Sequence, residues 1–154
     1  AIIHAVPLLE GNQFQGTRRV IDISGDGPNN TGALVTGARA DAIAKGITIN
    51  GLPIINDRPQ PSGRPQLQNL DGYYAACVIG GPGAFLVAAR DFKDFGRAIR
   101  RKLLFEIADR RPHLGVAKGS DGQIMNPASL SYPLGCDIGE RRLRQRRYLY
   151  DDDL

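Results

Sequence analysis

Asp26 stands between two glycines in Ser24-Gly25-Asp26-Gly27-Pro28-Asn29-Asn30, a loop rich in side-chain oxygens that follows directly on Val20-Ile21-Asp22-Ile23. A short β-branched run that breaks into glycine, proline and asparagine reads as a buried strand ending in a tight polar loop. Asp26 then lies at the carboxyl end of that strand, with Ser24, Asn29 and Asn30 on the same rim. In open α/β sheets ligands bind at this rim, because loops leave the strands there and helix amino termini face the crevice.

Other chemistries fit these residues less well. A phosphate- or nucleotide-binding loop over Gly25–Gly32 would need a third glycine where Asn30 stands, and no Gly-Lys-Ser/Thr loop occurs anywhere in the chain. Asp26 would also repel a phosphate approaching a helix amino terminus. Ser24 has no histidine that the sequence places beside it as an activating base. His4, His113, Cys77 and Cys136 match no zinc spacing. The two cysteines read as one core residue and one tail residue; a bridge between them suits an oxidising compartment, though their spacing does not imply it. Asp22 is a different matter, a carboxylate inside a strand that should be covered. It must meet a donor or face water, and a structural ion pair is the reading preferred over catalysis.

The elements that position this rim follow from apolar spacing. Ala1 to Leu9 reads as the last turns of a helix entered partway, since no capping residue precedes it. Thr31 to Lys45 repeats Leu34, Val35, Ala38, Ala42 and Ile43 on one helical face, with Gly46 at its stop. Ile47 to Ile55 reads as a second strand, so strand, helix and strand form a right-handed parallel crossover. Asn56 to Pro65 is a proline-rich loop, and Leu67, Leu70, Tyr73, Tyr74 and Cys77 follow helical spacing. Gly80-Gly81-Pro82-Gly83 turns the chain into a third strand, Ala84 to Ala89. Asp91 caps a helix over Phe92 to Ala108, whose buried stripe is Phe92, Phe95, Ile99, Leu103 and Ile107; Arg97, Arg100, Arg101 and Lys102 form its wet side. From Asp109 onward, frequent glycine and proline predict an irregular or disordered tail with one helical turn near Arg141 to Tyr148.

Composition bounds what remains. At 154 residues, 42% hydrophobic and 23% charged, the chain has room for one domain of 1–108 and a tail of 109–154. No apolar stretch reaches the ~20 residues of a membrane helix. The net charge of +4 is spread thinly, with 12 Lys+Arg against 9 Asp+Glu in 1–108 and 8 against 7 in 109–154. The cluster Arg141 to Arg147 is followed by Asp151-Asp152-Asp153, which would repel a polyanion, so nucleic acid is not the expected partner.

The order of elements and several phrases resemble the carboxyl-terminal half of a von Willebrand factor type A-like domain, closest to a bacterial branch known only as a domain of unknown function. The phrases are Arg19 to Asn30, Gly46 to Ile54, Tyr73-Tyr74 with Cys77 to Phe85, and Ala98 to Leu103 with Glu106-Ile107. The resemblance implies an α/β fold, here a partial doubly wound parallel sheet of about three strands with flanking helices, carrying a metal-ion-dependent adhesion site on its carboxyl rim. It implies a non-catalytic, adhesion-type protein-binding module, and an extracytoplasmic setting, periplasmic or secreted. Asp26 matches the aspartate such domains place after a late strand. The Asp-x-Ser-x-Ser motif that completes the Mg²⁺ site is absent from the sequence, and the threonine loop would fall before Ala1. The expectation is an incomplete metal site that holds Mg²⁺ weakly or not at all, in a parent that binds it when whole. A first strand absent beside Val20 to Ser24 would leave an open sheet edge, marginal stability and self-association.

Overall fold

The computed structural model describes residues 1–55, 67–91, 93–107 and 131–151. The Asn56 to Pro65 loop, Phe92 as a helix start, His113, the 109–130 stretch and the terminal aspartates at 152 and 153 lie outside them. Helix α1 (Ile2–Glu10) leads to strand β1 (Arg19–Gly25), helix α2 (Val35–Ala44) and strand β2 (Ile47–Pro53). β1 and β2 pair in parallel, Arg19 opposite Ile47 through Gly25 opposite Pro53, which gives the expected crossover. The fold is α/β, with a two-stranded parallel sheet flanked by helices.

The segment expected as a third strand continues the sheet only in pieces. Gly51 pairs with Leu86 and Ile54 with Ala89, both parallel. The bonds run Gly51 N–H to Phe85 O, Val87 N–H to Gly51 O, Ala89 N–H to Pro53 O and Ile55 N–H to Ala89 O. One rung is missing from that series, and it falls at Pro53, which has no N–H to give.

The sheet separates two apolar cores. On one face Ile21, Ile47 and Ile49 pack with Ile2 and Val6 of α1, with Val35, Ala38 and Ala42 of α2, and with Tyr73 to Ile79. On the other, Leu52 and Ile54 meet Phe85, Val87, Ala89 and Ala98. The helical spacing of 67–77 is realised as α3 (Leu70–Tyr73) running into a π-helical turn, Tyr74–Val78, with Arg39 of α2 donating to the Ala76 carbonyl at 2.6 Å.

Three expectations need correction. α2 begins at Val35 and not at Thr31, and Leu34 is exposed. Gly32 takes φ +83, a left-handed conformation that no right-handed helix accommodates, and the Asn29 carboxamide donates to the Ala33 carbonyl at 3.0 Å. Helix α4 begins at Phe95 and runs to Ile107; Asp91 accepts the Asp94 N–H at 2.7 Å in the turn ahead of it and does not cap it, and of the expected stripe only Phe95 and Ile99 pack on the core. Ala98 and Lys102 are covered, whereas Leu103 and Ile107 are 46% and 82% exposed. The helix is turned so that Lys102 faces Asp22 of β1, because a half-covered strand carboxylate needs a cation. The tail, expected to be irregular, carries helix α5 (Ile138–Asp151), longer than the single turn near Arg141 to Tyr148. Its approach is pinned to the core by a disulfide between Cys77 and Cys136 and by the buried ring of Tyr132.

Candidate functional site

The turn after β1 opens a cleft of about 550 Å³ at the carboxyl end of the sheet, lined by Ser24, Asp26, Asn29, Asn30, Tyr73 and Tyr74 together with the start of α1. All four residues expected on the rim therefore meet in one place. Ser24, Asp26 and Asn30 are exposed; Asn29 is half-buried. A second hollow of about 410 Å³ lies at the opposite, amino ends of the strands, between Arg19, Thr48 and Phe105.

The floor of the cleft is aromatic. Tyr73 and Tyr74 are buried, their rings edge to face at 6.2 Å. The Tyr74 hydroxyl stands over the end of β1, where a β-carbon on Gly25 would come within 2.9 Å of it. Burial pushes the Tyr74 phenol up to about 12, with Tyr73 and then the Asp26 charge adding to the rise. Tyr73 accepts the Asn29 N–H at 3.1 Å and donates to the Cys136 carbonyl at 3.4 Å, so one hydroxyl joins the rim loop to the tail. Its phenol is also raised, chiefly by burial.

Asn29 is held more firmly than its neighbours. Its carboxamide donates to the Ala33 carbonyl at 3.0 Å and to Glu140 Oε1 at 2.6 Å. Gly139 lies directly on the loop, since a β-carbon there would overlap the Asn29 carbonyl, whose carbon is 2.8 Å away. Asp26 contrasts with this. No hydrogen bond or ion pair reaches its carboxylate from a described residue.

The sequence places no histidine beside Ser24 and shows Tyr73 and Tyr74 as members of a helical spacing. His4 lines the same cleft as Ser24 and Asp26, without a hydrogen bond to either. The helical spacing of Tyr73 and Tyr74 signalled burial but could not reveal where their hydroxyls end. Glu140 gave no local signal, being 111 residues from its partner Asn29.

Asp22 belongs to a separate cluster on the α4 face. Lys102 pairs with Asp22 and, at 2.5 Å, with Glu106; the Asn50 carboxamide donates to Glu106 at 3.0 Å and accepts the Phe85 N–H at 3.1 Å. Burial raises the Asp22 carboxyl above its ordinary value against the lowering pull of Lys102. This is the structural ion pair expected for Asp22, although the strand leaves that carboxylate about half exposed.

As to a metal, the cleft offers one carboxylate, the hydroxyls of Ser24 and Thr31, two buried phenols and two carboxamides, of which Asn29's is already engaged by Glu140. No three His, Cys, Asp or Glu side chains come together among the described residues. Mg²⁺ demands a near-octahedral shell of oxygens, and this donor set does not fit a protein-held ion. No helix among the described residues is long and apolar enough to cross a membrane.

No curated protein and no solved structure matches the chain. Residues 1–111, which contain α1, β1, α2, β2, α4 and the rim loop, match the family described as protein of unknown function (DUF1194), and the chain belongs to that family.

Proposed function

We propose that the chain is a non-catalytic, adhesion-type protein-binding module of von Willebrand factor A type, whose carboxyl rim, centred on Asp26, receives a protein partner. One observation carries the reading: the Asp26 carboxylate is exposed in a cleft at the strand tips with no partner from a described residue, while the neighbouring strand carboxylate is tied to Lys102. A charge held on a rim without a structural role is available for recognition. The parallel β1–β2 crossover, with the rim loop leaving β1, supports the same reading. The donor set makes Mg²⁺ an ion completed by oxygens from outside these residues, so calorimetric titration of the chain alone should show weak binding or none.

The Cys77–Cys136 disulfide supports an extracytoplasmic setting, since such bonds persist in oxidising compartments. β1 pairs with β2 along one edge and with no other described strand, and an open edge of this kind favours pairing with a second copy. The phosphate-binding alternative is weaker because α2 starts only at Val35, leaving Gly25–Gly32 without a helix amino terminus directly behind it. The test is crosslinking capture from extracytoplasmic extracts with wild type and Asp26→Ala, beside a nucleotide thermal-shift screen. A protein captured by wild type and lost with Asp26→Ala is the expected result. Equal capture by both, or stabilisation by a nucleotide, would overturn the reading.

A further inference from the structure

The stretch from Tyr132 to Glu140 lies beyond the part of the chain that matches the family, yet it touches the rim loop, with Glu140 accepting from Asn29 at 2.6 Å. Asn29 is fixed from three directions. Its N–H is tied through the Tyr73 hydroxyl to the Cys136 carbonyl, its carboxamide to Glu140, and its carbonyl lies against Gly139. Each path ends in the tail. Only Gly27 and Pro28 separate Asn29 from Asp26, so whatever fixes Asn29 also restricts the Asp26 backbone.

We infer that this stretch completes the binding rim, with Glu140 as a positioning residue that holds Asn29 and thereby the Asp26–Asn30 loop, and with the Cys77–Cys136 bond making the docking permanent. The inference rests on the reading of the rim as the binding face. The disulfide acts as a lock and not as a switch. Cys77 is fully buried, so a thiol attacking at the half-buried Cys136 would have to expel a Cys77 thiolate into an apolar core, which is a poor leaving group there. Glu140 also has a cost that a mere packing residue would not carry. Its second oxygen, Oε2, is buried without a hydrogen-bond partner, so its bond to Asn29 must outweigh the desolvation of a carboxylate.

The test is amide hydrogen exchange on the full chain, with the Ala38 and Ala42 amides of α2 as the core reference. Glu140→Ala should speed exchange at Asn29, whose N–H is bonded to the Tyr73 hydroxyl, by about tenfold or more, the loss expected for a hydrogen bond to a charged group, and leave the reference unchanged. Glu140→Gln keeps an acceptor oxygen for Asn29 and removes the bare charge, so it should retain wild-type protection of the loop. Gly139→Ala, which forces the helix off the loop by an independent route, should loosen the same amide. Loop exchange in Glu140→Ala and Gly139→Ala that moves no more than the core reference would overturn the inference. No partner enters these measurements, so equal capture by wild type and Asp26→Ala would count against the binding reading and leave the positioning result standing.

Discussion

Two carboxylates four residues apart on one stretch of chain have opposite fates. Asp22 sits opposite Asn50 in the middle of the sheet, beside a buried Lys102 that is 5% exposed and shared with Glu106. Asp26 sits past the last paired residue of β1, exposed, in a cleft. Under α4 the charge that has to be neutralised is the buried Lys102 ammonium, which Glu106 and the half-exposed Asp22 flank, since leaving it bare would cost several kcal/mol. Beyond the strand ends water supplies the solvation, and a carboxylate can stand ready for a ligand. Both acids reach water, and it is the buried ammonium beside Asp22, not residue type, that separates the structural acid from the candidate functional one.

The largest expected effect comes from removing the cation of the covered cluster. Lys102→Met leaves Asp22 and Glu106 facing each other without a counter-ion and should cost about 3–5 kcal/mol in denaturant unfolding. A cost near zero would mean that solvent, and not Lys102, satisfies Asp22. On the rim side, Cys136→Ser opens a covalent loop with a sequence separation of 59 and should cost about 2–4 kcal/mol by the same measurement. The smallest effect is on titration. Tyr74 has a folded pKa of about 12 against an ordinary 10.0, so the stability it contributes is full below 10.0 and is lost as pH rises through about 12. Phenolate absorbance should show this late ionisation, and Asp26→Asn should bring it earlier, since the Asp26 charge helps to raise it.

How much of this was legible in the sequence depends on the range of the interaction. β1, α2 and β2 could be read because Val20-Ile21 and Ile47-Thr48-Ile49 carry β-branched signatures and Ala38 and Ala42 a helical period. The rim itself could be read from Gly25-Asp26-Gly27-Pro28, a strand end followed by turn residues. The face of α4 could not, since apolar spacing favoured Leu103 and Ile107, and the rotation that buries Lys102 depends on Asp22, far off in sequence. The third strand looked continuous from Ala84 to Ala89 because its broken rung is due to Pro53 on the neighbouring strand. In the tail, glycine and proline argued for irregular chain, and nothing local tied Cys136 to Cys77 or Glu140 to Asn29.

The most direct test of the contrast between the two acids is the unfolding free energy of Asp22→Ala and Asp26→Ala, measured side by side in denaturant. Asp22→Ala should lose about 1–3 kcal/mol, because a buried ammonium forfeits a charged partner. Asp26→Ala should stay within about 0.5 kcal/mol of wild type, as a surface carboxylate without a structural role does. A loss from Asp26→Ala as large as that from Asp22→Ala would contradict the account, for it would make the rim carboxylate part of what holds the fold together.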